Sequence, residues 1–183
     1  MHLLKEKLYA PLIIMLLLFT YLLNFFNKIS QCSLLFIFLA LTTNLISEVY
    51  GRKKAMLGVI LAIVVSFGLT WNVNYYIYGK VINGLIAASL LSVLVSAYCG
   101  VHVLSKLKQS YSFHVRNLIS LVTYSVVDGV VMAVFFLKYF PAHRVLNILF
   151  WEIAFKSLYS VVAFLFILIG AHFVKKGAAH LQR

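Results

Sequence analysis

Acidic side chains inside apolar sequence are the first feature of this chain that could do chemistry. Only four acids occur in 183 residues, and three of them, Glu48, Asp128 and Glu152, lie in or beside long apolar stretches. A charged group at membrane depth costs about 2.5–3.5 kcal/mol on insertion scales, so it requires a partner or a polar cavity. These three acids are therefore the leading candidates for binding a ligand.

Asp128 lies near the middle of the fifth apolar stretch, with Tyr124 and Ser125 on its side of a helix. No basic residue lies within one helical turn of it, so burial predicts a neutral carboxyl or a partner from another helix. Glu152 and Lys156 are four residues apart, in the orientation that favours an ion pair on one helix. That pair is either a structural salt bridge or two groups that line water or ligand.

Asn44 and Glu48 also share a helix face, near the predicted inner end of the second apolar stretch. Glu48 is either functional or an interfacial acid that pairs with Arg52, four residues further on. His102 shares a face with Tyr98 near the inner end of the fourth stretch. An isolated histidine there is more typical of a membrane interface than of a ligand or proton carrier.

Polar groups on several helices could converge on one intramembrane pocket. Carboxylates can accept two N–H groups from a guanine-like edge, an amide can both donate and accept, and aromatic rings can stack on a planar base. Buried polar groups reject ligands that fail to pair with them, which would give specificity. The candidate substrate-binding residues are Asn44, Glu48, His102, Ser125, Asp128, Glu152 and Lys156.

Catalysis has little support in the sequence. Serine-nucleophile, zinc-protease and phosphate-loop motifs are all absent, and the histidines show no metal-ligand spacing. Cys32 and Cys99 lie in or beside apolar stretches and are predicted to be small packing residues. We therefore expect a protein that is not an enzyme and that holds no cofactor or metal.

The elements that position these residues must be transmembrane helices. The chain is 63% hydrophobic and only 11% charged, whereas soluble domains carry about a quarter charged residues. Apolar runs such as 12–19 do not alternate with polar residues as barrel strands do. The sequence predicts an all-α polytopic membrane protein, a single domain over 1–183 that contacts the lipid bilayer. Its six predicted helices are approximately 8–27, 32–50, 56–78, 81–104, 115–138 and 146–173.

The basic residues indicate orientation rather than nucleic-acid binding, because they lie between the apolar blocks despite a formal charge of +12. With the N-terminus inside, the inner segments hold eleven Lys and Arg residues and the outer loops hold four. This distribution predicts that both termini are cytoplasmic. The basic, apolar beginning of the chain resembles a signal peptide but lacks a cleavage site, so we interpret it as a retained first helix.

Two further patterns concern helix ends and helix packing. An aromatic cluster at the predicted outer end of the third helix fits an interfacial belt or a substrate-facing role; it consists of Trp71, Tyr75, Tyr76 and Tyr78. Small residues every four positions on the fourth helix predict a close helix contact; they are Gly84, Ala88, Ser92, Ser96 and Gly100. The partner lies in the same chain or in a second subunit, so a homodimer remains open.

Four segments, in chain order, resemble motifs of the queuosine precursor transporter family, also called the vitamin uptake transporter family. The first, residues 44–55, contains Glu-Val-Tyr-Gly at 48–51; the others are Val-His-Val-Leu-Ser-Lys-Leu-Lys at 101–108, Ser-Val-Val-Asp at 125–128 and Glu-Ile-Ala-Phe-Lys at 152–156. Together they extend over roughly residues 36 to 170. The Glu-x-Tyr-Gly segment is the most specific of the four.

The resemblance implies a six-helix bundle in the bacterial inner membrane that imports 7-deazaguanine bases, namely pre-queuosine bases or queuine, for salvage into tRNA modification. It assigns the pocket to Asn44, Glu48, His102, Asp128, Glu152 and Lys156. Family members often have Asp at the position of Asn44, Asp near Gly100, and Asn or Gln near Ser125. These departures bear on which deazaguanine is preferred and on proton coupling, since Asn44 cannot titrate.

Two other functions remain open at this stage. The chain could be the substrate-binding subunit of an energy-coupling-factor type vitamin transporter, which works only with an ATP-driven complex. The small-residue stripe on the fourth helix fits such docking as well as it fits packing within one chain. A structural assembly protein is the third reading, and it requires the buried acids to be dispensable.

Overall fold

The computed structural model describes residues 2–26, 28–71, 76–77 and 80–180, and side chains within 8–26, 28–71 and 81–169. Its six long helices are α1 (His2–Leu23), α2 (Ile29–Tyr50), α3 (Arg52–Thr70), α4 (Leu85–Lys106), α5 (Phe113–Phe136) and α6 (Ala142–His180). A short 3-10 helix, Leu107–Gln109, joins α4 to α5.

Five of these helices, α2 to α6, are long and apolar enough to cross a membrane. The described apolar part of α1, Leu8–Leu23, is shorter. Large apolar side chains are exposed along the outward faces, as at Leu69 and Phe166, because lipid rather than water is the solvent there. The chain is therefore an all-α, multi-pass membrane protein.

Helix α2 lies at the centre of the bundle and packs against each of the other five helices. Around it, α1 packs against α3, α3 against α4, α4 against α5 and α5 against α6. Its buried residues change in character along its length, from apolar side chains such as Phe36 and Leu39 to polar ones such as Thr43 and Asn44. Polar groups on α2 can therefore meet partners from most of the bundle.

The connection between α3 and α4 differs from the prediction. Helix α3 ends at Thr70 rather than near residue 78, and Tyr76–Ile77 pairs antiparallel with Lys80–Val81. Aromatic and β-branched residues favour strands, and the run before Gly79 is rich in them. The predicted helical position of Tyr76 is therefore wrong. Trp71 lies at the exposed end of α3, whereas Tyr75 and Tyr78 fall outside the described residues.

The small-residue stripe of α4 faces α5 of the same chain. Ser92, Ser96 and Gly100 are buried, and a methyl group added at Gly100 would overlap the ring of Tyr124 on α5. Two members of the stripe contribute less: Ala88 is half-buried, and Gly84 is the capping residue before α4, with a φ of +80°. The close approach of α4 and α5 brings the hydroxyl of Ser92 to the backbone and side chain of α5.

Candidate functional site

Three helices bring charged and hydroxyl groups together inside the bundle. The ammonium of Lys156 on α6 donates hydrogen bonds to the carboxylates of Asp128 and Glu152. The hydroxyl of Ser92 on α4 donates to the carboxylate of Asp128 and, at 3.0 Å, to its backbone carbonyl. We call these four residues the ionic cluster. It is buried: the side chains of Lys156 and Asp128 are 2% and 7% exposed.

The ionic cluster lies at membrane depth. Asp128 is eight residues before the end of α5 and Glu152 ten residues after the beginning of α6, which corresponds to about 12 and 15 Å at 1.5 Å per residue. Gly129 allows the two helices to approach, since a Cβ there would lie 2.9 Å from Leu149 Cδ1. From α2, the ring of Phe36 covers Lys156, with 4.3 Å between Nζ and the ring centroid.

The cluster combines both ionic arrangements considered from the sequence. The Glu152–Lys156 pair forms within α6, and Asp128 receives a partner from another helix, which is one of the two outcomes that its isolation on α5 left open. One ammonium thus serves two carboxylates in a region of low dielectric constant. Such a group of acceptors and donors can bind a polar ligand strongly, because a ligand can replace contacts that lipid cannot supply.

A second polar group, formed by two amides and a hydroxyl, lies nearer the beginning of α5 than the ionic cluster does. Asn44 Nδ2 donates to Asn117 Oδ1 at 2.7 Å and to Ser120 Oγ at 3.1 Å. The Ser120 hydroxyl donates in turn to the backbone carbonyl of Gly100 at 2.8 Å. This set, which we call the amide layer, joins α2, α4 and α5. The three side chains are at most 1% exposed.

The predicted pairing of Glu48 with Arg52 is not the one the structure has. Glu48 Oε1 accepts a hydrogen bond from Arg116 Nη2 at 2.7 Å and lies 3.7 Å from Lys108 Nζ. The physical reason is Gly51, which has a φ of +90° and separates α2 from α3. The helical spacing that would place residues 48 and 52 on one face is therefore broken between them.

Arg52 pairs instead with His102 on α4. Its Nη1 lies 2.9 Å from His102 Nδ1, and its guanidinium carbon lies 4.7 Å from the centroid of the Tyr98 ring. His102 is exposed, a position that fits the interfacial interpretation of this histidine.

The seven candidate residues do not all converge on one point. Ser125 donates to the backbone carbonyl of Leu121 at 2.9 Å, within its own helix. Asp128, Glu152 and Lys156 share the ionic cluster, whereas Asn44 lies in the amide layer. Fully buried Tyr124 lies on α5 between these two levels, one helical turn from Asp128.

Several residues of the site were not among the sequence candidates. The sequence marked Ser92 only as a small residue, and Arg116 only as one of the eleven basic residues assigned to the inner segments. Asn117 and Ser120 were not singled out. A signal was present, because Ser120, Tyr124 and Asp128 recur every four residues and so form one face of α5. Among the described residues, no group of three or more His, Cys, Asp or Glu could hold a metal ion.

Comparison with known proteins gives one positive finding. The model of the family described as "Putative vitamin uptake transporter" matches residues 30–170. This segment contains the whole ionic cluster and the whole amide layer. Neither the curated proteins nor the solved structures include a significant match.

Proposed function

This chain belongs to the vitamin uptake transporter family, and from that premise we propose that it imports a queuosine precursor across the bacterial inner membrane. The substrate is a 7-deazaguanine base such as the pre-queuosine base or queuine. The observation that carries the proposal is the ionic cluster, in which Lys156 joins Asp128 and Glu152 at membrane depth. If these residues served stability alone, apolar side chains would be expected in their place, because buried ion pairs are often no more stabilising than apolar packing.

Recognition follows from the acceptors of the ionic cluster. The guanine-like edge of a deazaguanine carries adjacent N–H groups, and a carboxylate can accept two of them together. As these N–H groups bind, they replace part of the contact between Lys156 and its carboxylates. The ammonium is then available for the carbonyl oxygen of the base. A ligand without this pattern would leave buried groups unpaired, which is the source of specificity.

Aromatic rings beside the ionic cluster support binding of a planar base. On α6, Trp151, Phe155 and Tyr159 follow one another every four residues, with ring centroids 5.8 and 6.4 Å apart. They occupy the helix positions next to Glu152 and Lys156, so a base held by the carboxylates can stack on them. Release toward the predicted inner side then requires a movement of α4 and α5, since Tyr124 and the amide layer fill that direction.

The alternative, a substrate-binding subunit of an energy-coupling-factor type transporter, loses part of its support. The small-residue stripe suggested docking to a partner, but Ser92, Ser96 and Gly100 are buried in this chain. An obligate subunit would have to dock through another surface.

Uptake by the purified chain in liposomes tests the proposal. We expect accumulation of a labelled 7-deazaguanine without ATP, and loss of that accumulation in both Asp128→Asn and Glu152→Gln because each removes one acceptor charge. Thr123→Val is the matched control, because the described hydrogen bond of its hydroxyl is to Ile119 of its own helix, and it should transport normally. Uptake that requires an added ATP-driven complex would favour the alternative, and normal uptake by both acid variants would reject the site.

A further inference from the structure

Buried hydrogen-bond donors without acceptors lie near the beginning of α5. Arg116 is 5% exposed, and its Nε and Nη1 have no hydrogen-bond partner among the described residues. The Nδ2 of Asn117, a residue that is 1% exposed, is likewise unpaired within the described part of the chain. A buried donor without an acceptor is costly. A ligand that brings acceptor atoms to this place would remove that cost.

The facing part of α2 offers acceptor capacity. Glu48 Oε1 accepts a hydrogen bond from Arg116 Nη2 at 2.7 Å, but a carboxylate has about four acceptor positions. The Glu48 side chain is 28% exposed and lies two residues before the end of α2, so a ligand can reach it. One helical turn earlier, Asn44 joins Asn117 to α2. The two contacts between α2 and α5 therefore place unpaired donors beside unused acceptor positions.

A guanine-like edge matches this combination of groups. Its N–H and adjacent carbonyl supply a donor for Glu48 and an acceptor for Arg116 together. The centroid of the Phe113 ring lies 5.4 Å from the guanidinium carbon of Arg116, and a planar base can stack on either surface. Like the ionic cluster, this place holds a carboxylate beside a cation. The chemistry proposed to recognise the base is therefore present twice along α5.

The two places are far enough apart to be occupied separately. Arg116 precedes Asp128 by twelve residues on α5, which corresponds to about 18 Å at 1.5 Å per residue. Ser120 and Tyr124 continue the same face of the helix between them, and both are buried. A base that leaves the ionic cluster along this face reaches Glu48 and Arg116 next.

We propose that Glu48, Arg116 and Asn117 form a second binding site for the transported base, which we call the exit site. The inference rests on the proposed function and adds a step to it, because the base binds there before its release on the predicted inner side. The unpaired donors of Arg116 and Asn117 bind the acceptor atoms of the base, while Glu48 accepts its N–H groups. Water can satisfy the same donors, so the test must distinguish a bound base from bound water.

Equilibrium dialysis with labelled 7-aminomethyl-7-deazaguanine counts the bases that bind to the purified chain. We expect two per wild-type chain at saturation and one in Asp128→Asn, which changes only the ionic cluster. Arg116→Lys keeps the charge that pairs with Glu48 but removes Nε and Nη1. In the Asp128→Asn background it should weaken the remaining binding at least about tenfold, because hydrogen bonds from charged donors are the strong ones.

Arg52→Lys is the matched control, because it is the same exchange at a residue that contacts His102 rather than Glu48. In the Asp128→Asn background it should leave binding unchanged. Size-exclusion profiles establish that the variants remain folded. If Asp128→Asn fails to fold, Arg116→Lys alone is decisive, with one bound base expected in place of two.

A single base per wild-type chain would overturn the inference while leaving the proposed function intact, since the unpaired donors would then bind water. A second base that Arg116→Lys still binds normally would overturn it as well. An equal loss in Arg52→Lys would do the same, because the effect would not be specific to Arg116. If no base binds to the wild-type chain, the proposed function itself fails.

Discussion

At the residue scale, the charged side chains of the site pair across helices as well as within one helix. Two acids of the site are paired with a basic residue from another helix, Asp128 with Lys156 and Glu48 with Arg116, whereas Glu152 is paired with Lys156 of its own helix. Because one partner of each pair is nearly excluded from solvent, removing the other leaves a buried charge. Such a loss costs more than the interaction itself contributes.

Glu48→Gln is predicted to destabilise the bundle through Arg116. The guanidinium, with a side chain 6% exposed, would lose its charged acceptor, at a cost of about 1.5–3 kcal/mol. Combining Glu48→Gln with Arg116→Gln should recover part of the loss, because the buried charge is removed as well. Thermal midpoints of Glu48→Gln, Arg116→Gln and the double variant measure these losses of stability. Additive losses in the double variant would show that the pair is not coupled.

For Asp128 the sequence left two outcomes open, a neutral carboxyl or a partner from another helix, and it could not identify that partner. Helical spacing reports neighbours within one helix, whereas Lys156 is 28 residues away and meets Asp128 only through the packing of α5 on α6. The Glu48–Arg52 error had a visible cause, since Gly51 lies between the predicted second and third helices. Its left-handed backbone cancels the four-residue spacing.

At the element scale, the contact between α4 and α5 determines the geometry of both polar levels. Ser92 reaches Asp128 at one level, and the Gly100 carbonyl accepts from Ser120 at the other. The stripe of small residues predicted a close contact, and its partner is α5 of the same chain. The identity of that partner could not be derived, because small side chains permit a close approach by any helix.

Gly100→Ala is predicted to destabilise the protein, although alanine is the better helix former by about 1 kcal/mol. The added methyl group would overlap the Tyr124 ring, and overpacking costs about 1–3 kcal/mol. Gly68→Ala is the matched control, because nothing lies within 4 Å of its Cβ position, and it should be neutral or stabilising. Thermal midpoints in detergent compare the two variants. An unchanged midpoint for Gly100→Ala would mean that α4 and α5 can separate freely.

At the scale of the whole molecule, hydropathy and charge predicted an all-α bundle of six long helices. They did so because only helices and closed barrels can span a bilayer, and a spanning helix requires a long apolar run in the sequence. They missed the short strand pair at Tyr76–Ile77 and Lys80–Val81, since a two-residue strand carries no periodic signal. The arrangement of five helices around α2 could likewise not be predicted, because it depends on contacts between segments that are distant in the sequence.

The orientation of the bundle remains a prediction from its basic residues, eleven on the proposed inner side and four on the outer side. Fluorescent-protein fusions at either end should fluoresce, because that reporter folds in the cytoplasm. Alkaline phosphatase fusions at the same ends should be inactive. Active phosphatase at either terminus would contradict the predicted topology.

The central claim is that the substrate lies at the ionic cluster, and a native thiol can report on it. Cys32 is half-buried on α2, one helical turn before Phe36, whose ring covers Lys156 of the ionic cluster. In a Cys99→Ser background it is the single cysteine of the chain. Its labelling by a maleimide can therefore be followed without interference.

The decisive measurement is the rate at which Cys32 is labelled in the purified Cys99→Ser chain, with and without the 7-deazaguanine base that we propose as its substrate. We expect the ligand to slow labelling in a saturable way, and we expect Asp128→Asn to abolish this protection while Thr123→Val preserves it. Labelling of Cys99 in a Cys32→Ser chain should not respond. An unchanged labelling rate of Cys32 at concentrations that saturate transport would contradict the account.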